Sequence, residues 1–279
     1  FLLMGDTGYN LLEPFFEEFP ERSLNVGVAE QNMIGIAAGL VNVGFKPICY
    51  GITNFLVHRC LEQIRNDLCL HNYPVILVGT STGLDNGALW ATHYVVDDIA
   101  CLKALPNINI YSPSSVESIE KVLSEARMNQ NPSFIRITKN SFSENNQNDE
   151  INRFIIENKE SSILVLSHGR MISKSVEANK LYPNFSIFAL DKIKPLNEKK
   201  LNPILKRFSK IIVIEDNFNS GLFNSVCQFI TEQNIQTKIL SISVDNNLGD
   251  RTGNTEYLDR KFGLSVEQIT NFIKKLSKD

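Results

Sequence analysis

The stretch Gly27-Val-Ala-Glu-Gln-Asn-Met-Ile-Gly-Ile-Ala-Ala-Gly-Leu40 decides the fold of the region around it. It follows a short apolar run at residues 23–26 that predicts a strand, and from Glu30 onward the pattern is helical. Each glycine inside a helix costs about 1 kcal/mol relative to alanine. A helix that contains both Gly35 and Gly39 therefore indicates close approach to another backbone.

Glu30 is the one carboxylate in this small and apolar stretch. A carboxylate near a helix N-terminus is favoured by the helix dipole, and burial favours the protonated form of a carboxyl group. Taken alone, the residue fits two interpretations, a helix-capping glutamate and a functional acid.

Apolar runs alternate with helical segments along the rest of the chain. Strands are predicted at residues 1–4, 23–28, 46–52, 74–80, 108–111, 133–138, 162–167, 185–190, 210–215 and 237–242. The continuous run Val-Ile-Leu-Val at 75–78 is typical of a strand buried on both faces. Strands alternating with helices predict parallel sheets covered on both faces. We therefore expect an α/β fold with two three-layer domains and mainly parallel sheets.

A polar stretch at residues 140–160, rich in Asn, Glu, Ser and Gln, predicts an exposed connector. We place a first domain at 1–145, a linker at 146–160 and a second domain at 161–279. A chain of 279 residues is long enough for two such cores.

The composition excludes several classes of protein. An apolar content of 43% and a charged content of 21% are those of a soluble globular protein. A net charge of -3 gives no reason to expect nucleic acid or an acidic membrane surface as a partner, and no apolar run approaches the roughly 20 residues of a membrane span.

The five cysteines form no Cys-x-x-Cys pair and no zinc-site spacing. With no visible signal peptide, these features predict reduced thiols in a cytoplasmic protein. The chain opens at Phe1 inside a predicted strand, which leaves open whether residues precede it.

Three further stretches accompany the region around Glu30: Arg59-Cys-Leu-Glu-Gln-Ile-Arg65, Thr92-His-Tyr-Val-Val-Asp-Asp-Ile-Ala100 and Leu105-Pro-Asn107. Together they closely resemble the pyrimidine-binding domain of transketolases and 1-deoxyxylulose-5-phosphate synthases, which are thiamine diphosphate enzymes. The resemblance covers most of the first half and, more loosely, the second. Two parallel α/β domains joined by a polar linker are also the layout of the second half of a transketolase.

Four candidate groups follow predicted strands: Asp6, Glu30, the segment Gly51–Phe55 and the loop Ser81–His93. Open parallel sheets bind ligands outside the carboxyl ends of their strands. This clustering does not depend on the family resemblance, and it predicts one shared site.

The resemblance implies cofactor-binding roles for some of these residues. In the family, a protonated carboxyl group hydrogen-bonds the aminopyrimidine ring and promotes its imino tautomer, and the resemblance places that group on Glu30. The imino tautomer is the form that can accept the proton from the thiazolium C2. The resemblance also matches Phe55 to an aromatic that stacks on the pyrimidine, and it puts Ile52 and His58 where the family usually has aromatics. With Asp6, these are the predicted cofactor-binding residues.

The resemblance also implies substrate contacts. His93 matches a histidine that contacts the sugar, and a histidine can move a proton to a substrate oxygen near neutral pH. The family places Asp-Gly directly before its Thr-His pair, whereas Asp85-Asn-Gly87 is separated from that pair here by four residues. Lys139, with Arg136 as second choice, matches the segment that carries a phosphate-binding arginine in relatives. A lysine there loses the bidentate phosphate contact of an arginine.

The metal-binding half of the family site is missing from this sequence. The family's Gly-Asp-Gly motif with its following Asn is absent, and neither Gly5-Asp6-Thr7 nor Gly249-Asp250-Arg251 replaces it. We therefore predict no metal ligand on this chain. The Mg²⁺ and diphosphate ligands are expected on an N-terminal transketolase-like subunit, and two copies of this chain are expected to pair in an α2β2 assembly.

The predicted function is that of the C-terminal subunit of a two-chain, thiamine-diphosphate- and magnesium-dependent transketolase. It would transfer a two-carbon ketol unit from a ketose or ketose phosphate to an aldehyde. The alternatives are half of a 1-deoxyxylulose-5-phosphate synthase, a 2-oxoacid dehydrogenase β subunit and a non-catalytic interface partner. The runs at 29–33 and 105–107 favour transketolase, and Glu30 and His93 argue against a non-catalytic partner. The sequence does not name the sugar.

Overall fold

A computed structural model of the chain describes residues 1–139, 150–248 and 252–277. The strands are β1 (Leu2–Met4), β2 (Ser23–Asn25), β3 (Ile48–Ile52), β4 (Ile76–Thr80), β5 (Asn109–Tyr111), β6 (Ser133–Arg136), β7 (Asn152–Ile156), β8 (Ile163–Ser167), β9 (Ser186–Leu190), β10 (Lys192–Lys194), β11 (Lys210–Phe218) and β12 (Lys238–Val244). The α-helices are α1 (Glu13–Glu18), α2 (Glu30–Asn42), α3 (Thr53–His58), α4 (Leu61–Gln63), α5 (Asp98–Lys103), α6 (Val116–Met128), α7 (Met171–Leu181), α8 (Glu198–Leu205), α9 (Leu222–Glu232), α10 (Thr255–Lys261) and α11 (Val266–Leu276). Short 3-10 helices span Pro20–Arg22 and Gly87–Leu89, and a π-helix spans Ile64–Cys69. Among the residues described, no helix combines the length and apolarity needed to cross a bilayer.

The strands form two mainly parallel sheets. The first has the order β10-β5-β6-β4-β3-β1-β2 and the second the order β12-β11-β8-β9-β7. The antiparallel strands are at the edges: β10 pairs with β5 and β7 pairs with β9. The predicted α/β fold with two mainly parallel sheets is confirmed.

Two strands are not evident in the sequence pattern. Residues 152–156 fall inside the predicted linker, yet they form edge strand β7, and Phe154 packs edge-on against Phe188 with ring centroids 5.0 Å apart. These five residues of the predicted linker at 146–160 are therefore a strand, while its first four residues, 146–149, lie outside the described residues. Strand β10 follows β9 after the single residue Asp191 and passes from the second sheet to the first. The limits of the two domains otherwise stay a prediction.

The two sheets share one apolar core. A single cluster of buried side chains includes Leu77 and Phe134 from the first sheet and Leu164, Phe188 and Val213 from the second. Burying one such side chain contributes about 1.5–3 kcal/mol. The halves are therefore held together by packing as well as by the chain that connects them.

Helix α2 packs one face on this core through Met33, Ile34 and Ala37. Gly35 and Gly39 lie on the exposed face, and no described atom beyond their chain neighbours and the adjoining backbone of α2 lies within 4 Å of a Cβ built on either. The close backbone approach expected for these glycines is therefore not made within the described part of this chain.

A buried charge network crosses between the two halves; it consists of Asp98, Arg136, Arg170, Asp216 and Asp259. Arg136 bonds Asp98 at 2.9 Å and Asp216 at 3.0 Å. Arg170 bonds Asp216 at 2.7 Å and Asp259 at 2.9 Å. Burial by itself would raise the pKa of Asp216, but the two guanidinium groups hold it below its usual range. Such charges are tolerated in a core because each is paired.

Candidate functional site

The candidate site lies at the carboxyl ends of β1, β3, β4 and β6, which are neighbouring parallel strands of the first sheet. Asp6 follows β1, helix α3 follows β3, the loop Ser81–His93 follows β4 and Lys139 follows β6. Because these ends share one edge of the sheet, residues distant in sequence meet there.

Glu30 is the first residue of α2, and only 3% of it is exposed. Nη1 of Arg59 donates to its Oε2 at 2.5 Å. Gly5, just after β1, leaves room for this side chain, because a Cβ there would lie 3.2 Å from Cγ of Glu30. From the sequence, Arg59 stands out only as part of a motif. It directly follows His58, a predicted coenzyme contact, and this position is the sequence signal for a role beside Glu30.

Glu30 and His93 are joined by an unbroken line of contacts through Arg59 and Phe55. The guanidinium of Arg59 lies 4.8 Å from the centre of the Phe55 ring. The Phe55 ring in turn meets the imidazole of His93 edge-on, with centroids 5.4 Å apart. The Thr92 hydroxyl lies 2.9 Å from Nδ1 of His93 and fixes the other side of that ring. An acid, an aromatic ring and an imidazole are thus aligned beside the sheet edge.

A cavity of about 480 Å³ opens at the same edge. It is lined by Thr7, Tyr50, Ile52, Thr80, Ser81, Asn86, Leu89, Ile137, Thr138 and Lys139. Ile52 and Lys139 are predicted site residues and Asn86 lies in the predicted loop Ser81–His93, whereas Tyr50 is not a predicted site residue. Lys139 is exposed, and its Nζ donates to Oδ1 of Asn86 at 2.8 Å, which places a cation at the rim of the cavity.

The loop Ser81–His93 is held in a fixed shape. Ser81 and Trp90 adopt positive φ angles of 57° and 68°, a conformation that costs non-glycine residues about 1–3 kcal/mol and clusters at functional sites. Gly83 has φ of 56°, and a Cβ there would overlap Oδ2 of Asp216 at 1.9 Å, so only glycine fits against the charge network.

Asp85 anchors this loop to the end of β6. Its Oδ2 accepts a hydrogen bond from the backbone amide of Lys139 at 2.7 Å. Burial raises the pKa of Asp85, while the bond from that amide lowers it. The carboxylate therefore positions Lys139.

Asp6 is exposed and has φ of 53°. It accepts hydrogen bonds from the Tyr9 hydroxyl at 2.6 Å and from Nδ2 of Asn25 at 3.0 Å. These two donors hold the pKa of Asp6 below its usual range. The carboxylate of Asp6 is thus a negative charge exposed at the carboxyl end of β1.

His58 is held by α5. Its Nδ1 lies 3.2 Å from the carbonyl oxygen of Asn54, and its Nε2 lies 3.0 Å from Oδ1 of Asp97. Hydrogen bonds with Asp97 and then Cys101 raise the pKa of His58 to about 10. The ring is therefore engaged by polar partners outside the line from Glu30 to His93.

Arg136 does not lie at the rim. Its side chain is wholly buried in the charge network between Asp98 and Asp216. The sequence makes Arg136 the second choice for the rim cation after Lys139, and the structure does not place it there, because the last residue of β6 points its guanidinium into the junction of the two halves. No local pattern around Arg136 indicates its partners, since Asp216 is 80 positions away.

The family comparison agrees with this geometry. The transketolase pyrimidine-binding domain family matches residues 7–144. One subunit of the apulose-4-phosphate transketolase of Actinobacillus succinogenes is 26% identical, over 99% of this chain and 91% of its own length. A putative transketolase C-terminal section of Methanocaldococcus jannaschii is 28% identical, over 93% of this chain and 84% of its own.

Longer relatives match over their corresponding part alone. The 1-deoxy-D-xylulose-5-phosphate synthase of Clostridium beijerinckii is 28% identical over 95% of this chain, which spans 44% of that enzyme. Among solved structures, a split-gene transketolase described as an inactive β4 tetramer superposes with a TM-score of 0.85 at 24% identity, covering 98% of this chain and 91% of that one. The transketolase of Leishmania mexicana superposes with a TM-score of 0.81 at 18% identity, covering 99% of this chain and 42% of that enzyme.

The matched domain contains Glu30, Phe55 and His93, and both halves of the chain follow the transketolase fold. Residues 7–144 therefore belong to the transketolase pyrimidine-binding domain family, and the chain as a whole is similar to a separate transketolase subunit and to a transketolase C-terminal section.

Proposed function

We propose that this chain is the C-terminal subunit of a two-chain transketolase that uses thiamine diphosphate to move a two-carbon ketol unit from a ketose to an aldehyde. The observation that carries the proposal is the buried carboxylate of Glu30, connected through Arg59 and Phe55 to His93. Two relatives, one named as a separate transketolase subunit and one as a C-terminal section, match this chain over most of their length and support the two-chain form.

The residues present fit the pyrimidine half of the coenzyme. An aromatic ring at Phe55 and an apolar wall at Ile52 suit a flat heterocycle, and Glu30 is a nearby carboxyl group shielded from water. Bound thiamine diphosphate would supply a nucleophilic carbon at C2. In this proposal Glu30 holds a proton at a pyrimidine ring nitrogen, Arg59 orients the carboxyl group and Asp6 contributes a polar contact on the coenzyme side. His58 is left out of the slot because Asp97 engages its ring.

The substrate would enter beside the 480 Å³ cavity. His93 is positioned to give or take a proton at a sugar oxygen, because Phe55 and Thr92 hold its ring. Lys139 offers a rim cation for a phosphate group, and Asp85 holds the lysine in place. A lysine binds phosphate as a point charge, without the fork of an arginine.

The Mg²⁺ and diphosphate ligands are assigned to an N-terminal partner subunit, and two copies of this chain would pair in an α2β2 assembly. Tyr9 and Val28 are large exposed side chains, 62% and 70% accessible. Tyr9 follows Asp6 in the loop after β1, and Val28 precedes Glu30. The exposed Gly35 and Gly39 of α2 also leave room for another backbone. Since the similar split-gene transketolase is described as an inactive tetramer, we expect this chain to be inactive alone.

The experiment compares Glu30→Gln with Glu62→Gln, an exposed glutamate in α4. Each variant is mixed with the N-terminal partner, thiamine diphosphate and Mg²⁺, and exchange of the C2 proton is followed by NMR. Glutamine cannot hold the shared proton, so exchange in Glu30→Gln should fall by roughly 10² to 10⁴-fold, while Glu62→Gln should match the wild type. Exchange near the wild-type rate in Glu30→Gln would remove the central assignment.

A second candidate is half of a 1-deoxyxylulose-5-phosphate synthase, because several such enzymes match 95% of this chain at 28–29% identity. The two reactions differ in the first carbon of the product, which is a methyl group in a 1-deoxy ketose and a hydroxymethyl group after ketol transfer. Mass spectrometry of the product made by the reconstituted enzyme distinguishes them.

A further inference from the structure

Three side chains capable of binding a metal converge beside α3 and α5. His58 is the last residue of α3, Asp97 is the N-cap of α5, and Cys101 lies one turn further along that helix. Their ligand atoms all lie within 4.8 Å of one another. Asp97 and Cys101 are four positions apart, so they share one helix face, and the packing of α3 brings His58 to that face. We call these three residues the His58 cluster.

The hydrogen bonding of His58 directs a ligand nitrogen into the cluster. Nδ1 faces the carbonyl oxygen of Asn54 at 3.2 Å, and a carbonyl can only accept, so Nδ1 carries a proton. Nε2 then faces Asp97 and Cys101, and a metal ion binds it by displacing the proton that it shares with Asp97. A metal-binding histidine typically has this arrangement, with its second nitrogen held by a carbonyl or carboxylate.

The donor set selects the class of metal. Imidazole nitrogen, thiolate sulfur and carboxylate oxygen together suit a borderline cation such as Zn²⁺, whereas Mg²⁺ and Ca²⁺ take oxygen ligands. Zn²⁺ binds such atoms at about 2.0–2.3 Å in a tetrahedron. The side chains of His58 and Asp97 are 34% and 42% exposed, so they can turn toward a central ion and an ion can reach them.

We propose that the His58 cluster binds one zinc-class divalent cation through His58, Asp97 and Cys101, with the fourth position open to water. This site uses none of the ligands expected for Mg²⁺ and stands independently of the proposed ketol transfer.

The cluster has a direct connection to the candidate active site. The carbonyl of Asn54 holds His58, and the side chain of Asn54 donates to the carbonyl of Thr92, the residue before His93. The next residue, Phe55, contacts the His93 ring. A bound ion therefore fixes α3 against α5 at the place where α3 supports the His93 segment.

Cobalt is the probe for the test, because Co²⁺ takes zinc sites and shows a sulfur-to-metal absorption when a thiolate binds it. The full chain, without an affinity tag and kept reduced, is titrated with Co²⁺ and then with Zn²⁺ against a chromogenic chelator. We expect one ion per chain with thiolate absorption. Cys101→Ser should abolish that absorption. Both Cys101→Ser and His58→Gln should weaken Zn²⁺ binding by at least roughly 10 to 100-fold, because even the loss of a residue that only supports a ligand has an effect of that size.

Matched controls are Cys227→Ser, a partly exposed thiol in the second half, and His71→Gln, an exposed histidine outside the cluster. Both should bind as the wild type does, and circular dichroism verifies that every variant is folded. If Cys101→Ser does not fold, the exposed His58→Gln decides the matter through Zn²⁺ affinity. Absence of stoichiometric binding in the wild type, or affinity unchanged in His58→Gln, would overturn the proposal and leave His58 and Asp97 as a simple ion pair.

Discussion

Replacing Arg136 with methionine tests whether the buried charge network holds the two halves of the chain together. The side chain is wholly buried, with Nε donating to Asp98 at 2.9 Å and Nη1 to Asp216 at 3.0 Å. Methionine fills much of the same space with flexible apolar atoms. The main effect is therefore loss of a cation from between two buried carboxylates.

The two carboxylates are affected unequally. Asp216 keeps the guanidinium of Arg170 at 2.7 Å, whereas the side-chain partner that Asp98 keeps among the described residues is the uncharged amide of Asn217 at 3.2 Å. Removing one partner of a buried ion pair costs about 3–5 kcal/mol. Because one of the two carboxylates retains a guanidinium, we expect the free energy of unfolding to fall by about 3 kcal/mol at neutral pH.

The pH dependence provides a second check on the same variant. The folded-state pKa of Asp216 lies below its usual range, so its contribution to stability is present above the unfolded pKa of about 3.9 and is lost as the pH falls below it. In Arg136→Met, a buried carboxylate can relieve its charge by taking up a proton. The difference in stability between wild type and variant should therefore shrink as the pH is lowered toward 4.

The assay is urea unfolding followed by far-UV circular dichroism and by tryptophan fluorescence. Trp90 is the only tryptophan of the chain and lies in the loop that Gly83 anchors on the network. Lys139→Met is the control, since removal of this exposed cation should change stability by no more than about 0.5 kcal/mol. A loss below about 1 kcal/mol in Arg136→Met, or equal losses in the two variants, would refute the reasoning.

Three other predictions concern catalysis, thiol reactivity and helix capping. His93→Ala should lower turnover of a ketose by the reconstituted enzyme more than it weakens coenzyme binding; coenzyme titration and steady-state kinetics separate the two, and equal losses would count against a substrate role. Burial raises the pKa of Cys60 to about 12, so its alkylation at pH 8 should be much slower than that of the partly exposed Cys227, and peptide mass spectrometry showing similar rates would contradict this. Ser115→Ala removes the N-cap acceptor of the Ser118 amide in α6 and should cost about 1 kcal/mol in urea unfolding; an unchanged midpoint would show that the cap contributes nothing.

The sequence by itself determined the elements whose signals are local. Helix α6 is one example, because its serine N-cap and its apolar residues at helical spacing all lie within a few turns of one another in the sequence. Continuous apolar runs likewise predict β4 and β8 as strands of parallel sheets. The order of strands and helices is enough for the fold class. The family resemblance needs the run around Glu30 together with the stretches at 59–65, 92–100 and 105–107.

The tertiary structure alone decided which polar side chains meet. Arg136 resembles a surface cation beside Lys139 in the sequence, but it is buried because the second half brings Asp216 to it. His58 matches a coenzyme contact in the family, but the packing of α3 on α5 gives it Asp97 and Cys101 as partners. Strand β10 joins the first sheet from the second half of the chain. Each of these contacts joins residues far apart in sequence, and it depends on how two sheets bury their shared apolar surface, which no local pattern encodes.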